Sequence, residues 1–256
     1  MNIAVCIKQA AGRGNSTDPR TGLLRRGGDA QLNPYDRYAL EAALTLRAKA
    51  GGTVTALTMG PDSARQVLRD AASMGADRLV LLCDPAFAGA DVYATALALA
   101  MAIRRLGGFD LILCGRQTTD GDTAQVPPSL AAHLGLPFCT WVDDISWESG
   151  QVLTHQQLTG GSQSVRLTLP ALLSVTENIG TPRLPGLRQS LAALSAPVQV
   201  ITATELDPAG IFGQAASHTR VVKVYSAQPA VKSPPVPCTP MEAAELIRAQ
   251  FPEVGS

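Results

Sequence analysis

The chain has 256 residues, 46% of them hydrophobic, with 21 basic and 21 acidic side chains and a formal net charge of zero. That length buries most of the surface an unfolded chain would expose, as one large domain or one domain plus an appendage, and the balanced charge offers no electrostatic reason for binding nucleic acid or an anionic membrane. The longest apolar helix candidate, residues 92–103, is too short to span a bilayer, and the N-terminus enters a strand without a signal peptide's basic region and cleavage site, so the expected location is cytoplasmic.

In chain order, short β-branched runs alternate with helical patterns. Strands are expected at 3–7, 53–58, 78–83 and 110–114, separated by helices at about 35–50, 61–74, 91–106 and 123–134. This alternation predicts βαβ units and an α/β fold with an open, mostly parallel, Rossmann-like sheet. Pro61 after Gly60 suits a first helical turn, and Gly75 suits the residue that closes that helix. After Pro137 the pattern turns to strands at 138–147, 152–157, 164–169 and 171–176, with a turn at Gly160-Gly161, which predicts a β-hairpin extension. Beyond Pro182 proline and alanine dominate. Ser233-Pro234-Pro235-Val236-Pro237 reads as a stiff linker before a short helix at 240–250.

Five cysteines, at 6, 83, 114, 139 and 238, form no CxxC pair, so reduced thiols are expected. The histidines at 133, 155 and 218 lie far apart, and neither a GxSxG elbow nor a GxxxxGK[ST] loop is present. No metal ligand and no catalytic acid, base or nucleophile is therefore assigned.

The most informative stretch is Gly115-Arg116-Gln117-Thr118-Thr119-Asp120-Gly121-Asp122-Thr123-Ala124-Gln125-Val126-Pro127, which runs from the end of an apolar strand into a helix. At the carboxyl edge of an open sheet, free N–H groups and the positive end of a helix dipole face bound diphosphates. Gly115 and Gly121 are expected to let the backbone approach such a ligand. Thr123 and Gln125 donate hydrogen bonds without adding charge, and Arg116 is the cation in the loop. Asp120 and Asp122 would repel phosphate, so they either cap the helix or bind ribose hydroxyls; Asp122, just before the helix, is the better cap. Asn33, followed by Pro34, is a common helix start.

Together with Asn33-Pro34-Tyr35-Asp36, Met59-Gly60-Pro61 and Met74-Gly75-Ala76-Asp77-Arg78, this loop resembles the β-subunit of electron-transfer flavoproteins, in order over roughly residues 1–200. The resemblance implies an adenine-nucleotide-hydrolase-like sheet whose nucleotide lies against Cys6, Asn33 to Asp36, Met59 with Gly60, and Gly115 to Val126. Family members that pass single electrons carry AMP there, and electron-bifurcating members carry a second FAD. The wording Asp120-Gly121-Asp122-Thr123-x-Gln125-Val126-x-Pro128 looks like the bifurcating group, which implies FAD in this subunit, a further FAD in a partner α-subunit, and NADH as electron donor. The chemistry would then belong to flavin.

Pro182-Arg183-Leu184-Pro185-Gly186-Leu187-Arg188 matches the family's recognition loop, with Leu187 at the position that anchors into a partner dehydrogenase and Arg183 beside it. Where the family continues with lysines, this chain reads Gln189 to Ala196 without one, so either the partner is not the usual acyl-CoA dehydrogenase surface or docking is less electrostatic. The alternative is that Leu187 starts an amphipathic helix and packs inward. The expected division is a nucleotide-binding domain, residues 1–195, followed by a C-terminal arm, 196–256, that packs on the partner subunit or is disordered. Two other functional readings stand beside this one: an AMP-holding, non-bifurcating β-subunit, and a stand-alone adenine-nucleotide sensor of the universal-stress type, against which the hairpin and arm argue.

Overall fold

Leucine-rich and β-branched runs buried on both faces make parallel strands, and the helices between them return the chain to the same edge of the sheet. The computed structural model describes residues 1–10, 16–17, 24–25, 30–148, 150–222 and 237–251. Strands β1 (Asn2–Cys6), β2 (Thr53–Met59), β3 (Arg78–Leu82) and β4 (Leu111–Gly115) are separated by α1 (Pro34–Ala50), α2 (Arg65–Met74) and α3 (Val92–Leu106), and α4 (Val126–Leu134) follows. The hairpin region is β5 (Phe138–Glu148), β6 (Gln151–Leu158) and β7 (Gly161–Thr168), after which β8 (Ala171–Val175) re-enters the sheet. Next come α5 (Leu187–Leu194) and β9 (Val198–Ile201).

The nine strands stand in the order β7-β6-β5-β8-β4-β1-β2-β3-β9. Within this sheet antiparallel pairing is confined to β5 with β6 and β6 with β7, so the sheet is mostly parallel. Alternate residues of β1 serve two cores. Ile3 and Val5 pack with Leu40 and Leu44 of α1 and with Val67 and Leu68 of α2. Ala4 and Cys6 pack with Leu99 and Ile103 of α3 and Leu130 of α4. Each fully buried leucine here contributes on the order of 2 kcal/mol.

Two helix boundaries differ from expectation. Asp62–Ala64 forms a 3-10 turn, so α2 proper begins at Arg65. α4 begins at Val126 rather than near 123, because Asp122 and Ala124 take φ values of 50° and 54°, outside helical conformation. Gly75 does close α2.

The chain divides into two compact units, Met1–Lys223 and Val224–Ser256. The α/β body therefore runs past the boundary expected after residue 195. Its physical reason is β9, which pairs parallel with β3 at the sheet edge. Asp91, at the start of α3, also accepts hydrogen bonds from the Thr219 N–H and hydroxyl and so fastens the later segment to the body. The second unit contains α6 (Pro240–Gln250), opened by a capping box in which Thr239 and Glu242 bond reciprocally. The expected linker lies, apart from Pro237, outside the described residues. No described helix is long and apolar enough to cross a membrane.

Candidate functional site

From β1 the sheet grows one way through β2 and β3 and the other way through β4 and β8. The crevice outside the carboxyl ends of β1 and β4 is thus the topological switch point, where open α/β sheets bind ligands. A short antiparallel ladder, Gln9–Ala10 with Gln31–Leu32, brings the chain back to that crevice just before α1. The Lys8 carbonyl accepts the Asn33 N–H (3.0 Å), and the Lys8 N–H donates to Asp36 Oδ2 (2.7 Å).

Asp36 is a buried carboxylate. The Lys8 N–H, the Gly115 N–H and the Asn33 side chain all bond to it, yet burial outweighs them and pushes its pKa up to about 7. The room left by Gly115 belongs to this contact and not to a ligand. A Cβ at 115 would lie 2.4 Å from Asp36 Oδ1 and 2.7 Å from the Tyr35 carbonyl carbon. Asn33 stands at the N-cap position of α1 but makes no side-chain cap. Its amide instead spans to the loop, donating to the Gln117 carbonyl (2.9 Å) and accepting from the Thr119 N–H (3.3 Å).

Sequence reasoning passed over Lys8. Its ammonium lies 2.5 Å from Asp120 Oδ1, and the Asp120 side chain is only 4% exposed, so this carboxylate is turned inward and neutralised. The signal available was a lysine directly after an apolar strand at the edge where ligands bind. Asp122 is not the helix cap: Gln125 occupies that position, without a side-chain cap. Asp122 is exposed, and its N–H bonds to the Thr118 carbonyl (2.9 Å).

The stretch from Gly121 to Gln125 alternates in backbone handedness, with positive φ at Asp122 and Ala124 only. Alternating handedness turns successive N–H groups to one side and forms an anion-binding concavity. The α4 N-terminus adds less than expected, because Pro127 and Pro128 carry no N–H. Within the loop the Gly121, Asp122 and Gln125 N–H groups bond to the Thr118 hydroxyl, the Thr118 carbonyl and the Thr123 hydroxyl, so the donors that a diphosphate would meet here are the Thr123 and Ala124 N–H groups, the Thr123 and Gln125 side chains, and Lys8. Gly121 is packed close to this group, its Cβ position lying 3.2 Å from Thr118 Oγ1 and 3.9 Å from Lys8 Nζ.

Arg116 is committed within the chain. Its guanidinium lies over the rings of Tyr35 (4.6 Å) and Trp141 (4.8 Å), donates to the Tyr35 hydroxyl (3.0 Å) and sits 3.4 Å from Glu177 Oε2. Trp141, a second residue missed from sequence, takes a φ of 56° beside a register shift between β5 and β8. Strained backbone of this kind clusters at functional sites. Cys6 pairs across the strands with Cys114. A hydrogen bond with Cys6, burial, and the charges of Cys6 and Asp36 push the Cys114 thiol upward and keep it protonated. Met59 and Gly60 lie at the same carboxyl edge, at the end of β2.

Leu187 and Arg183 belong to another surface. Leu187 opens α5 and is 78% exposed, and Leu191 and Leu194 are exposed on the same helix. It does not pack inward. Arg183 donates through its N–H, Nε and Nη2 to the Glu41 carboxylate of α1. Against the pull of partial burial, these bonds hold Glu41 below the usual carboxylate range.

Residues 21–206 match the electron transfer flavoprotein domain. The chain is 40% identical over 226 residues to the electron transfer flavoprotein subunit beta of Thermoanaerobacterium thermosaccharolyticum, covering 87% of this chain and 86% of that protein. It is 41% identical over 239 residues to Protein FixA of Azorhizobium caulinodans, covering 88% and 84%. It is 38% identical over 231 residues to the caffeyl-CoA reductase-Etf complex subunit CarD of Acetobacterium woodii, covering 88% of each. A crevice built by α1 and the 115–126 loop, a match that spans most of the chain and relatives covered over most of their own length lead to one conclusion: the chain belongs to the electron transfer flavoprotein family.

Proposed function

We propose that the chain is the β-subunit of a cytoplasmic, heterodimeric electron transfer flavoprotein and that it holds FAD at the switch point between β1 and β4. The observation that carries this reading is the alternating backbone of Gly121 to Gln125 beside Lys8, a concavity whose Thr123 and Ala124 N–H groups stand next to a cation. The residues fit a dinucleotide. Cys6, Met59 and Gly60 form the floor for an adenosine, while Thr123, Gln125 and Lys8 face the diphosphate. FAD, when bound, supplies two-electron exchange with NADH and single-electron relay. The chain's own residues bind it, orient it and hold the loop against it.

FAD rather than AMP, and hence bifurcation, is supported by the 120–128 wording. That one relative is named as a subunit of a reductase–Etf complex supports a reductase or dehydrogenase as the partner of this chain too. The second unit would pack on the α-subunit through α6, where Ile247 and, just past the helix end, Phe251 are exposed. Acid extraction of the purified αβ heterodimer tests the reading. Two FAD per dimer are expected; one FAD with one AMP would refute bifurcation and leave an AMP-type subunit.

Leu187 is the proposed anchor for the electron acceptor. Because it is largely exposed, Leu187→Ala should leave melting temperature and nucleotide content unchanged while slowing electron delivery to the acceptor. Loss of one such apolar anchor weakens docking by about 2 kcal/mol. Steady-state transfer at varied acceptor concentration reads this out, and an unchanged rate would remove Leu187 from the docking surface.

A further inference from the structure

At the switch point the N–H groups of Lys8 and Gly115 face the crevice where an anionic ligand group would be expected to sit, and both are already taken by a carboxylate of the chain itself. We propose that Asp36 is a positioning residue for the nucleotide: it fills the anion position between the ends of β1 and β4 from inside, and through Lys8 and Asn33 it sets where the 117–121 loop stands. The proposal rests on the nucleotide-site reading above.

Two paths of direct contact run from Asp36 to the loop. Its Oδ2 fixes the Lys8 backbone (2.7 Å), and the ammonium of the same lysine holds Asp120 (2.5 Å). Its other tie is to the Asn33 side chain, whose amide holds the Gln117 carbonyl and the Thr119 N–H. Gly115 lets Asp36 come this close, since any Cβ there would overlap Oδ1. The ligand is thereby displaced from the strand ends outward onto Gly121 to Gln125.

Charge on Asp36 then matters to binding. Its Lys8, Gly115 and Asn33 partners act as donors toward it, so the ionised form satisfies them all, and protonation turns one of its acceptor oxygens into a donor among donors. The titratable groups facing it are the Lys8 ammonium on the β1 side and the Cys114 thiol on β4. The thiol supplies no positive charge, and Arg116 is engaged by Tyr35, Trp141 and Glu177. Burial nevertheless holds the carboxyl near neutrality, at about 7. Nucleotide affinity should therefore be high with Asp36 ionised and fall as pH drops through 7. Folding stability runs the other way: the carboxyl titrates at 3.8 when free and about 7 when folded, so its contribution is complete below pH 3.8 and is lost as pH rises to 7.

The test uses the nucleotide-stripped αβ heterodimer and FAD, whose bridging diphosphate does not titrate near neutrality. Equilibrium binding is measured from pH 5.5 to 8.5 for the wild type and for Asp36→Asn. The wild type should bind FAD about fivefold more weakly at pH 6 than at pH 8, the change that corresponds to a carboxyl pKa lowered by about one unit on binding. Asp36→Asn should flatten the profile. If that variant does not fold, calorimetry of the wild type in two buffers of different ionisation enthalpy gives the proton count, and release of a proton near pH 7 is expected. Equal pH slopes in both proteins, no proton release, or affinity that rises as pH falls would overturn the positioning role while leaving the nucleotide site in place. Failure of both FAD and AMP to bind at any pH would remove the site itself, and this proposal with it.

Discussion

Gly115→Ala is expected to lower the melting temperature by on the order of 5–10 °C and to strip the heterodimer of its β-subunit nucleotide. The added methyl would sit 2.4 Å from Asp36 Oδ1, 2.7 Å from the Tyr35 carbonyl carbon and 2.9 Å from the Asp36 nitrogen. Two of those three atoms are backbone in the first turn of α1, so no rotamer change relieves the overlap. Overpacking of this kind costs about 1–3 kcal/mol and more where backbone must move. Gly135→Ala serves as the control. Gly135 has a φ of 70° with nothing within 4 Å of its Cβ position, so only conformational strain of about 1 kcal/mol is expected. Thermal unfolding of the two variants checks this, and equal shifts would mean that α1 does not depend on the bare backbone at 115.

Lys8→Met should produce the second large effect, on nucleotide retention more than on folding. Methionine keeps most of the length and removes the ammonium that faces Asp120 Oδ1 at 2.5 Å, in a loop whose carboxylate is almost wholly buried. That carboxylate must then protonate or move toward water, carrying Gly121 with it. Because the lysine side chain is 34% exposed, the pair is worth less than a fully buried one, and the global cost should stay near 1 kcal/mol. The nucleotide loses both a placed loop and a neighbouring cation. A hydrogen bond to a charged group is worth about 1.5–3 kcal/mol, which corresponds to at least tenfold weaker binding. Lys8→Arg should recover part of it. Equilibrium dialysis with FAD reads the outcome, and unchanged affinity in Lys8→Met would separate the Lys8–Asp120 pair from the ligand site.

Much of the fold was legible because it follows from local pattern. Apolar runs at 3–7, 53–58 and 78–83, with helical periodicity between them, became β1, β2 and β3 with boundaries shifted by no more than one residue. The helix expected at 240–250 appears at those residues, where a capping box and an early proline mark its start in the sequence itself. The loop from 115 to 126 was identified as a strand-to-helix connection for the same reason.

The roles inside that loop were not legible. Asp122 reads as a cap only if the helix starts at 123, and the start is displaced by positive φ at Asp122 and Ala124, which no residue type there announces. Arg116 reads as a phosphate partner until Trp141 arrives from β5 to stack on it. Gly115 reads as space for a ligand until α1 fills that space. Sequence by itself determined the parallel α/β sheet and the strand-to-helix loop at the edge where the ligand site is proposed, because hydrophobic period and turn chemistry act between neighbours. Tertiary structure alone decided which charges meet there. Lys8 and Asp120 are 112 residues apart, and Asp36 acquires its pKa of about 7 from burial, against the opposing pull of N–H groups at two distant strand ends. Burial and long-range pairing depend on how all the strands stack, and this leaves no periodic mark in the chain.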